Sequence, residues 1–151
     1  MKKKVKTLPD KNGNMLDFYQ SDSIAFTPAL SLFLKVYAEI IDKGFGLPRI
    51  DFNNDTRVVW AQYLDGKVAA GIAYEYQADK RCGWVVLSFT NPDDRGKGIH
   101  KMLHPLYEED SRSLGATHLS SYVNVNNTVR LATLKSVGFQ PIVYKTFKSL
   151  T

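Results

Sequence analysis

The sequence predicts an α+β domain whose central sheet is mixed, mostly antiparallel and flanked by helices. Two β-branched and aromatic runs, 57–64 and 68–76, are joined by Asp65-Gly66, a dipeptide typical of tight β-hairpins. An apolar run from Cys82 to Thr90 then leads through a glycine-containing turn into apolar residues at helical spacing. Together with the flanking elements these patterns give the predicted order β-α-β-β-β-α-β-α-β.

The elements before the hairpin are assigned from hydrophobic spacing and from helix start and stop signals. Residues 15–26 form an extended first strand. Thr27-Pro28 provides an N-cap and a first helical residue, and an apolar stripe then continues to a helix end near Gly44. Residues 45–55 are expected to form a loop.

The elements after the motif strand follow from the same signals. The helix from Gly98 should end near Leu114, and Pro105 should bend it because proline removes one backbone hydrogen bond. A short strand is predicted over 118–123. Asn127 then caps a helix that ends at Gly138, and a last strand lies within 141–150.

Composition predicts a single domain over residues 1–151 in which residues 1–12 form a flexible, basic N-terminus. No apolar run approaches the ~20 residues that a membrane span needs, so we expect no membrane association. The single cysteine, Cys82, excludes an internal disulfide and indicates a reducing, cytoplasmic location. The net charge of +5 is spread along the chain and does not by itself indicate nucleic-acid binding.

The turn between the motif strand and its helix, within residues 88–100, says most about function. Its backbone N–H groups should converge at the positive end of a helix dipole, which is a favourable place for phosphate. Gly96 and Gly98 permit positive φ and close backbone approach. Arg95 and Lys97 add positive charge at the same place.

The charges support a bound anion without proving one. Arg95, Lys97 and Lys101 lie at a helix N-terminus, where cations are unfavourable unless an anion is present. Asp93 and Asp94 just upstream could partly take that role, and a solvated basic turn is the alternative interpretation.

Two motifs in register resemble the GNAT superfamily of N-acetyltransferases. Arg95-Gly-Lys-Gly-Ile is similar to its pyrophosphate-binding signature, Gln/Arg-x-x-Gly-x-Gly/Ala. Asn127 followed by a short helix and Gly138-Phe139 is similar to the second family element in order and spacing. The resemblance covers residues 57–149 and implies the GNAT fold.

The resemblance also implies how acetyl-CoA would be bound. The turn would bind the pyrophosphate, and the pantetheine arm would enter between two strands that splay apart. It would pair with the motif strand as an added strand does, and a backbone N–H there would stabilise the oxyanion. The residues expected to bind the cofactor are Ser88, Phe89, Thr90, Arg95, Gly96, Lys97, Gly98, Ile99, His100 and Asn127.

The sequence departs from the family pattern at two positions. His100 stands where a small glycine or alanine is usual, so its ring must point away from the cofactor or contact its phosphates. Leu134 stands where many members carry a tyrosine that protonates the departing thiolate, which puts the usual general acid in doubt.

The catalytic candidates are Glu75 and Tyr122. Glu75 lies on a strand beside the motif strand and is the best carboxylate for a general base, although a solvent-facing strand position explains it equally well. Tyr122 follows the motif helix and could protonate the thiolate, although a tyrosine of the core is the alternative. His100 and His104 have a metal-ligand spacing but no accompanying third ligand, so no metal is expected.

The expected function is therefore transfer of an acetyl group from acetyl-CoA to a primary amine. A non-catalytic acyl-CoA-binding or regulatory protein on the same fold is the first alternative, prompted by His100 and Leu134. A basic nucleic-acid-binding module is the second and rests on charge alone. The partners expected are a small-molecule or peptide amine and no nucleic acid or membrane, and the sequence leaves homodimerisation open.

Overall fold

A computed structural model describes residues 2–44 and 53–142 of the chain. The strands are β1 Lys3–Pro9, β2 Met15–Ser21, β3 Arg57–Tyr63, β4 Val68–Gln77, β5 Cys82–Thr90 and β6 His118–Ser121. The helices are α1 Ala29–Asp42, α2 Ile99–Ser113 and α3 Thr128–Ser136, and short 3₁₀ turns occupy Ala78–Lys80 and Pro92–Asp94. None of the helices in this part of the chain combines the length and apolarity needed to cross a bilayer.

The six strands form one sheet in which neighbours in sequence are neighbours in space. The pairs from β1 to β5 are antiparallel, and β5 pairs with β6 in parallel. Among the described strands, the parallel pair is the one connected by α2, because a helical crossover returns the chain in the same direction. This mixed, mostly antiparallel sheet confirms the predicted fold class.

The two longer helices cover opposite faces of the sheet. Phe33 of α1 packs edge-on against Phe89 in one buried cluster. Leu103 and Tyr107 of α2 belong to a second buried cluster on the other face. Complete burial of one large apolar side chain contributes roughly 1.5–3 kcal/mol, so both helices are held mainly by these clusters.

Asp110 adds a polar connection between α2 and the sheet. Its carboxylate accepts two hydrogen bonds from Arg57, at 2.8 and 3.1 Å, and one from the Tyr74 hydroxyl at 2.7 Å. The two donors lie on neighbouring strands, β3 and β4. These three hydrogen bonds to one carboxylate fix the angle of α2 on the sheet, and with it the direction of the helix N-terminus.

The N-terminus differs from its prediction. Residues 1–12 were expected to be flexible, whereas Lys3–Pro9 forms the edge strand β1. Its backbone pairs with β2 from Lys3 to Pro9, and Asp17 of β2 adds an ion pair with Lys4 at 2.8 Å and a hydrogen bond from Thr7 at 2.6 Å. A sequence rich in lysine is also suited to an edge strand, where charge opposes pairing with other chains.

The start of α1 and the end of β2 also differ from their predictions. Thr27 does not cap α1, because its hydroxyl donates to the Ile24 carbonyl at 2.8 Å and the helix begins after Pro28 without a side-chain cap. The first predicted strand ends at Ser21 and not at Phe26. The predicted last strand, within 141–150, lies almost wholly outside the described residues, as does most of the predicted 45–55 loop.

Strands β5 and β6 diverge at a point that the backbone defines. Their parallel pairing covers Cys82–Val85 of β5 and His118–Ser121 of β6, while β5 itself continues to Thr90. On the other side of β5, Leu87 pairs with Ala73 and Val85 with Tyr74, which leaves Val86 as a β-bulge. Since a bulge bends its strand and increases its twist, it accounts for the opening of a cleft at this position.

Candidate active site

The turn between β5 and α2 has the backbone geometry of an anion site. Gly96 and Gly98 have φ values of +77° and +75°, which lie in the left-handed region that glycine adopts without strain. Helix α2 begins at Ile99 with Gly98 as its N-cap, and no side chain caps it. The first N–H groups of a helix have no partner within the helix, so here they remain available to a ligand.

The cations of this turn are engaged by carboxylates. Arg95 donates two hydrogen bonds to Glu39 of α1, at 2.9 and 2.8 Å. These bonds, followed by one from Lys43 at 2.8 Å, lower the pKa of Glu39 to about 2. Lys97 donates to Asp94 at 2.9 Å, and this bond raises the pKa of Lys97. The positive charge predicted at the turn is therefore present but largely neutralised within the chain.

Asp94 is only 2% exposed and belongs to a polar network beneath the turn. The Tyr63 hydroxyl donates to it at 2.9 Å and lies 3.2 Å from the carboxylate of Asp10 in the β1–β2 turn. Burial, followed by the bond to Asp94, raises the pKa of Tyr63 to about 12. The Lys11 side chain lies over Gly98, so a Cβ added there would be 3.2 Å from its Cε. The network thus anchors the glycine turn to the N-terminal hairpin.

The diverging strands open a cleft between the ends of β5 and β6. Ser88 is on its β5 wall, and its buried hydroxyl has no hydrogen-bond partner among the residues that the structure describes. The other lining residues are Ile40 of α1, Val85, Val86 and Leu87 of β5, Ser121, Tyr122, Val123 and Asn124 at the end of β6, and Asn127 and Arg130 of α3. The cleft is therefore lined by the strand that precedes the glycine turn and by Asn127 of the second motif, and Arg130 connects it to His100 in the first turn of α2.

Asn127 begins α3 at the edge of the cleft. Its side-chain oxygen accepts a hydrogen bond from the Arg130 backbone N–H at 3.2 Å, which is the geometry of an N-cap. Leu134, one turn further on, is 6% exposed and packs in the interior. The helix ends with Gly138 at a φ of +94° and a bond from the Phe139 N–H to the Leu134 carbonyl.

The sequence matches the model of a known protein family over most of its length. The model of the acetyltransferase (GNAT) family matches residues 14–139, which is most of the chain. The chain belongs to the GNAT family. Among curated proteins, none has a significant sequence match to it.

Solved structures share the GNAT fold at low sequence identity. One is an aminoglycoside acetyltransferase from an uncultured soil metagenomic sample, in complex with trehalose, with 13% identity over 90% of this chain and 97% of that one and a TM-score of 0.66. Another is the aminoglycoside N-acetyltransferase AAC(6')-Iy in complex with CoA, with 15% identity, 89% and 99% coverage and a TM-score of 0.65. An integron cassette protein from the mobile metagenome of V. cholerae has 20% identity, 89% and 93% coverage and a TM-score of 0.64. These likenesses establish the fold alone.

The other predicted binding residues of this GNAT domain occupy different environments. The Phe89 side chain is buried against α1, so only its backbone could contact a ligand. The Thr90 carbonyl lies 3.5 Å from Arg95. Ile99 is buried beneath the first turn of α2, where it anchors the glycine turn to the core.

The structure separates the two catalytic candidates. Tyr122 lines the cleft just beyond β6, is 60% exposed and meets the edge of the Trp84 ring at 4.7 Å between centroids. Glu75 is not a lining residue and accepts a hydrogen bond from Thr56 at 3.1 Å. It is paired directly with Trp84 across β4 and β5, so it lies on the same sheet face as that ring. Tyr122 is the nearer of the two to the cleft.

Arg130 is a lining residue that the sequence did not single out. Its Nη1 lies 3.0 Å from Nε2 of His100, in the first turn of α2. Burial lowers the pKa of Arg130 to about 10, and burial together with the Arg130 charge lowers the pKa of His100 to about 3. The only available signal was its position one helical turn after the Asn127 cap.

Of the two histidines of α2, His104 is buried and His100 is partly buried. The rings of His100 and His104 are 5.1 Å apart, and His104 also contacts the rings of Tyr107 and Phe139. Within residues 2–44 and 53–142, no cluster of three or more His, Cys, Asp or Glu side chains is arranged to hold a metal ion.

Proposed function

We propose that this protein transfers an acetyl group from acetyl-CoA to a primary amine. The observation that carries the proposal is the proximity of two features, the N-terminus of α2 and the end of β5 that extends beyond its pairing with β6. They are connected through Arg130, which lines the cleft beside β5 and bonds to His100 in the first turn of α2. The first suits a pyrophosphate, and the second suits the amides of a pantetheine arm. Acetyl-CoA contains both groups in one molecule.

The backbone around the turn fits such a ligand. A Cβ added at Gly96 would meet no atom of the described residues within 4 Å, so this part of the chain leaves room for an approaching phosphate. Ser88 adds a buried hydroxyl without a partner on the wall where the pantetheine arm would pass. Arg95 and Lys97 would then turn from their carboxylates towards phosphate oxygens.

The reaction requires few protein groups. Attack of the amine on the thioester carbonyl places negative charge on the carbonyl oxygen, and an N–H from the end of β5 would stabilise it. Glu75 would accept the amine proton through water, since it is not itself a lining residue. Tyr122, with its exposed hydroxyl at the cleft, would donate a proton to the departing thiolate of CoA.

A second candidate function is acyl-CoA binding without turnover. The observation that favours it is Leu134, which is buried and has no proton to donate at the position usual for the general acid. The structural relatives that act on aminoglycosides share too little sequence to define the acceptor here. We place either activity in the cytoplasm, because acetyl-CoA is available there and the buried Cys82 is a free thiol.

The donor site is tested by calorimetry with acetyl-CoA. The wild-type protein should bind at micromolar levels, corresponding to about −8 kcal/mol. Gly98→Asp should abolish binding, because it adds a negative charge at the phosphate site and a side chain where Lys11 is only 3.2 Å away. Gly44→Asp is the matched control, since Gly44 has a similar φ of +70° at the end of α1. Equal affinity in the Gly98 variant would refute the assignment of the turn.

The acetyl transfer is tested by release of free thiol with a panel of amines. The panel contains polyamines, aminoglycosides, amino acids and peptides with free N-termini. Turnover with one of these classes identifies the acceptor. Binding of acetyl-CoA without thiol release for every amine would favour the non-catalytic alternative. Strongly salt-dependent DNA binding without acetyl-CoA affinity would contradict both.

A further inference from the structure

Among the described residues, no acid pairs with the partly buried side chain of Arg130. Its Nη2 atom is inaccessible to solvent and has no hydrogen-bond partner in this part of the chain, while Nη1 is bonded to His100. No carboxylate of the described residues contributes to its pKa, which burial lowers to about 10. Buried charges in proteins are normally paired, so this arrangement indicates a missing anionic partner.

The bond to His100 fixes the state of that imidazole. A guanidinium can only donate hydrogen bonds, so Nε2 of His100 must accept and carries no proton. The proton of the neutral ring is therefore on Nδ1. That atom is also buried without a partner. His100 and Arg130 thus present two buried N–H groups, Nδ1–H and Nη2–H, and neither finds an acceptor within residues 2–44 and 53–142.

The position of these donors relates them to the cleft. His100 lies in the first turn of α2, directly after the glycine turn, and Arg130 lies in the first turn of α3 and lines the cleft. The cations of the glycine turn itself, Arg95 and Lys97, are already paired with Glu39 and Asp94. The buried positive charge that remains available at this site is therefore on α3.

We propose that Arg130 binds a phosphate oxygen of the acyl-CoA pyrophosphate, with His100 as the residue that positions its guanidinium. This rests on the proposed function, and it assigns to α3 a share of the phosphate binding that the sequence places in the glycine turn alone. The planar guanidinium can bond one oxyanion through two N–H groups, which suits phosphate. The nearby N-terminus of α2 adds its dipole to the same ligand.

The inference is tested with Arg130→Met, which keeps the length of the side chain and removes its charge. Arg112→Met is the control, because Arg112 is an exposed arginine on α2 that pairs with Glu108. Affinities are measured for acetyl-CoA, for S-acetylpantetheine, which has no phosphate, and for succinyl-CoA, which adds an acyl carboxylate. Arg130→Met should weaken acetyl-CoA binding by about tenfold or more, the scale of a hydrogen bond between charged groups. S-acetylpantetheine binding should not change.

Stability separates a binding role from a packing role. Arg130→Met removes a buried charge that has no partner, so the free protein should melt at the same temperature or higher. Arg130→Lys keeps the positive charge but loses the planar set of N–H donors, so it should bind acetyl-CoA with intermediate affinity. A fall in melting temperature together with equal losses for acetyl-CoA and S-acetylpantetheine would show that Arg130 only supports the structure.

The remaining outcomes are also decisive. If the wild type binds acetyl-CoA and Arg130→Met binds it with the same affinity, the inference is overturned and the proposed function stands. A loss confined to succinyl-CoA would show that the anion is an acyl carboxylate and overturns the phosphate assignment. Absence of acetyl-CoA binding in the wild type would remove the proposed function and the inference with it.

Discussion

Replacing Glu39 by glutamine should strengthen the binding of acetyl-CoA. Glu39 of α1 holds both terminal nitrogens of Arg95, at 2.9 and 2.8 Å, and so restrains the arginine of the glycine turn. A ligand phosphate must compete with this carboxylate for the guanidinium. A glutamine side chain has the same shape and retains one acceptor, but it has no charge. Arg95 should therefore turn to the phosphate at lower cost.

The expected change in acetyl-CoA affinity depends on how far solvent reaches the ion pair between Arg95 and Glu39. The Arg95 side chain is 44% exposed and that of Glu39 is 27% exposed, so solvent screens much of their attraction. Pairs of this kind contribute roughly 0.5–1 kcal/mol, and the affinity for acetyl-CoA should rise by about two- to fivefold. The free energy of unfolding of the unliganded protein should fall by about the same 0.5–1 kcal/mol. Both changes should shrink at high salt.

Titration calorimetry and urea unfolding measure the two quantities on the same variant. Glu108→Gln is the control, because Glu108 pairs with Arg112 on an exposed part of α2 and its loss changes the net charge equally. The control should lower stability slightly and leave acetyl-CoA affinity as it was. Unchanged affinity in Glu39→Gln would show that Arg95 does not exchange partners. Reduced affinity would show that Glu39 itself supports the ligand.

Three further predictions concern the rest of the site. Because the pKa values of His100 and His104 are lowered to about 3 and about 4, the unfolded chain takes up protons first as the pH falls. The stabilisation that the two neutral histidines provide should therefore be fully present above pH 7. By pH 5.5 the free energy of unfolding should fall by about 1 kcal/mol per histidine, as urea unfolding at a series of pH values would measure. A variant with His100→Gln and His104→Gln should show a weaker dependence on pH. Asn127→Ala should cost roughly 1 kcal/mol of stability and also weaken acetyl-CoA, whereas unchanged affinity would make the residue only a cap. Tyr122→Phe should lower the turnover number by roughly 10²-fold at unchanged acetyl-CoA affinity, and equal turnover would leave solvent as the proton source.

Local elements of the fold were predictable because their signals are local. The motif strand was predicted over Cys82–Thr90 and is found there, and the helix predicted from Gly98 to Leu114 covers Ile99–Ser113. Asn127 was predicted as a cap, and it accepts the expected hydrogen bond. In each case the apolar period, the glycine or the capping side chain lies within a few residues of the boundary that it determines.

Contacts between distant parts of the chain were not predictable in this way. Strand β1 forms by backbone pairing with β2, to which Asp17 adds contacts with Lys4 and Thr7, whereas the lysine-rich segment alone indicates a solvated end. The charges at the glycine turn show the same limit. Asp94 lies close enough in sequence to be considered as a partner for the turn, whereas Glu39 is 56 residues from Arg95 and gives no local signal.

The distribution of charge around the cleft has a physical logic that connects these contacts. An exposed cation such as Arg95 can be paired with a carboxylate at small cost to ligand binding. Water screens the charges whether the pair is formed or broken, so the guanidinium can exchange the carboxylate for a ligand oxygen. A carboxylate beside the buried guanidinium of Arg130 would instead compete with a ligand in a region of low dielectric, where an exchange of partners is expensive. Leaving Arg130 without an acid costs stability in the free protein, but it keeps a strong anion-binding group ready at the cleft. The bond from Arg130 to His100 limits that cost, because a neutral imidazole satisfies one donor without cancelling the charge.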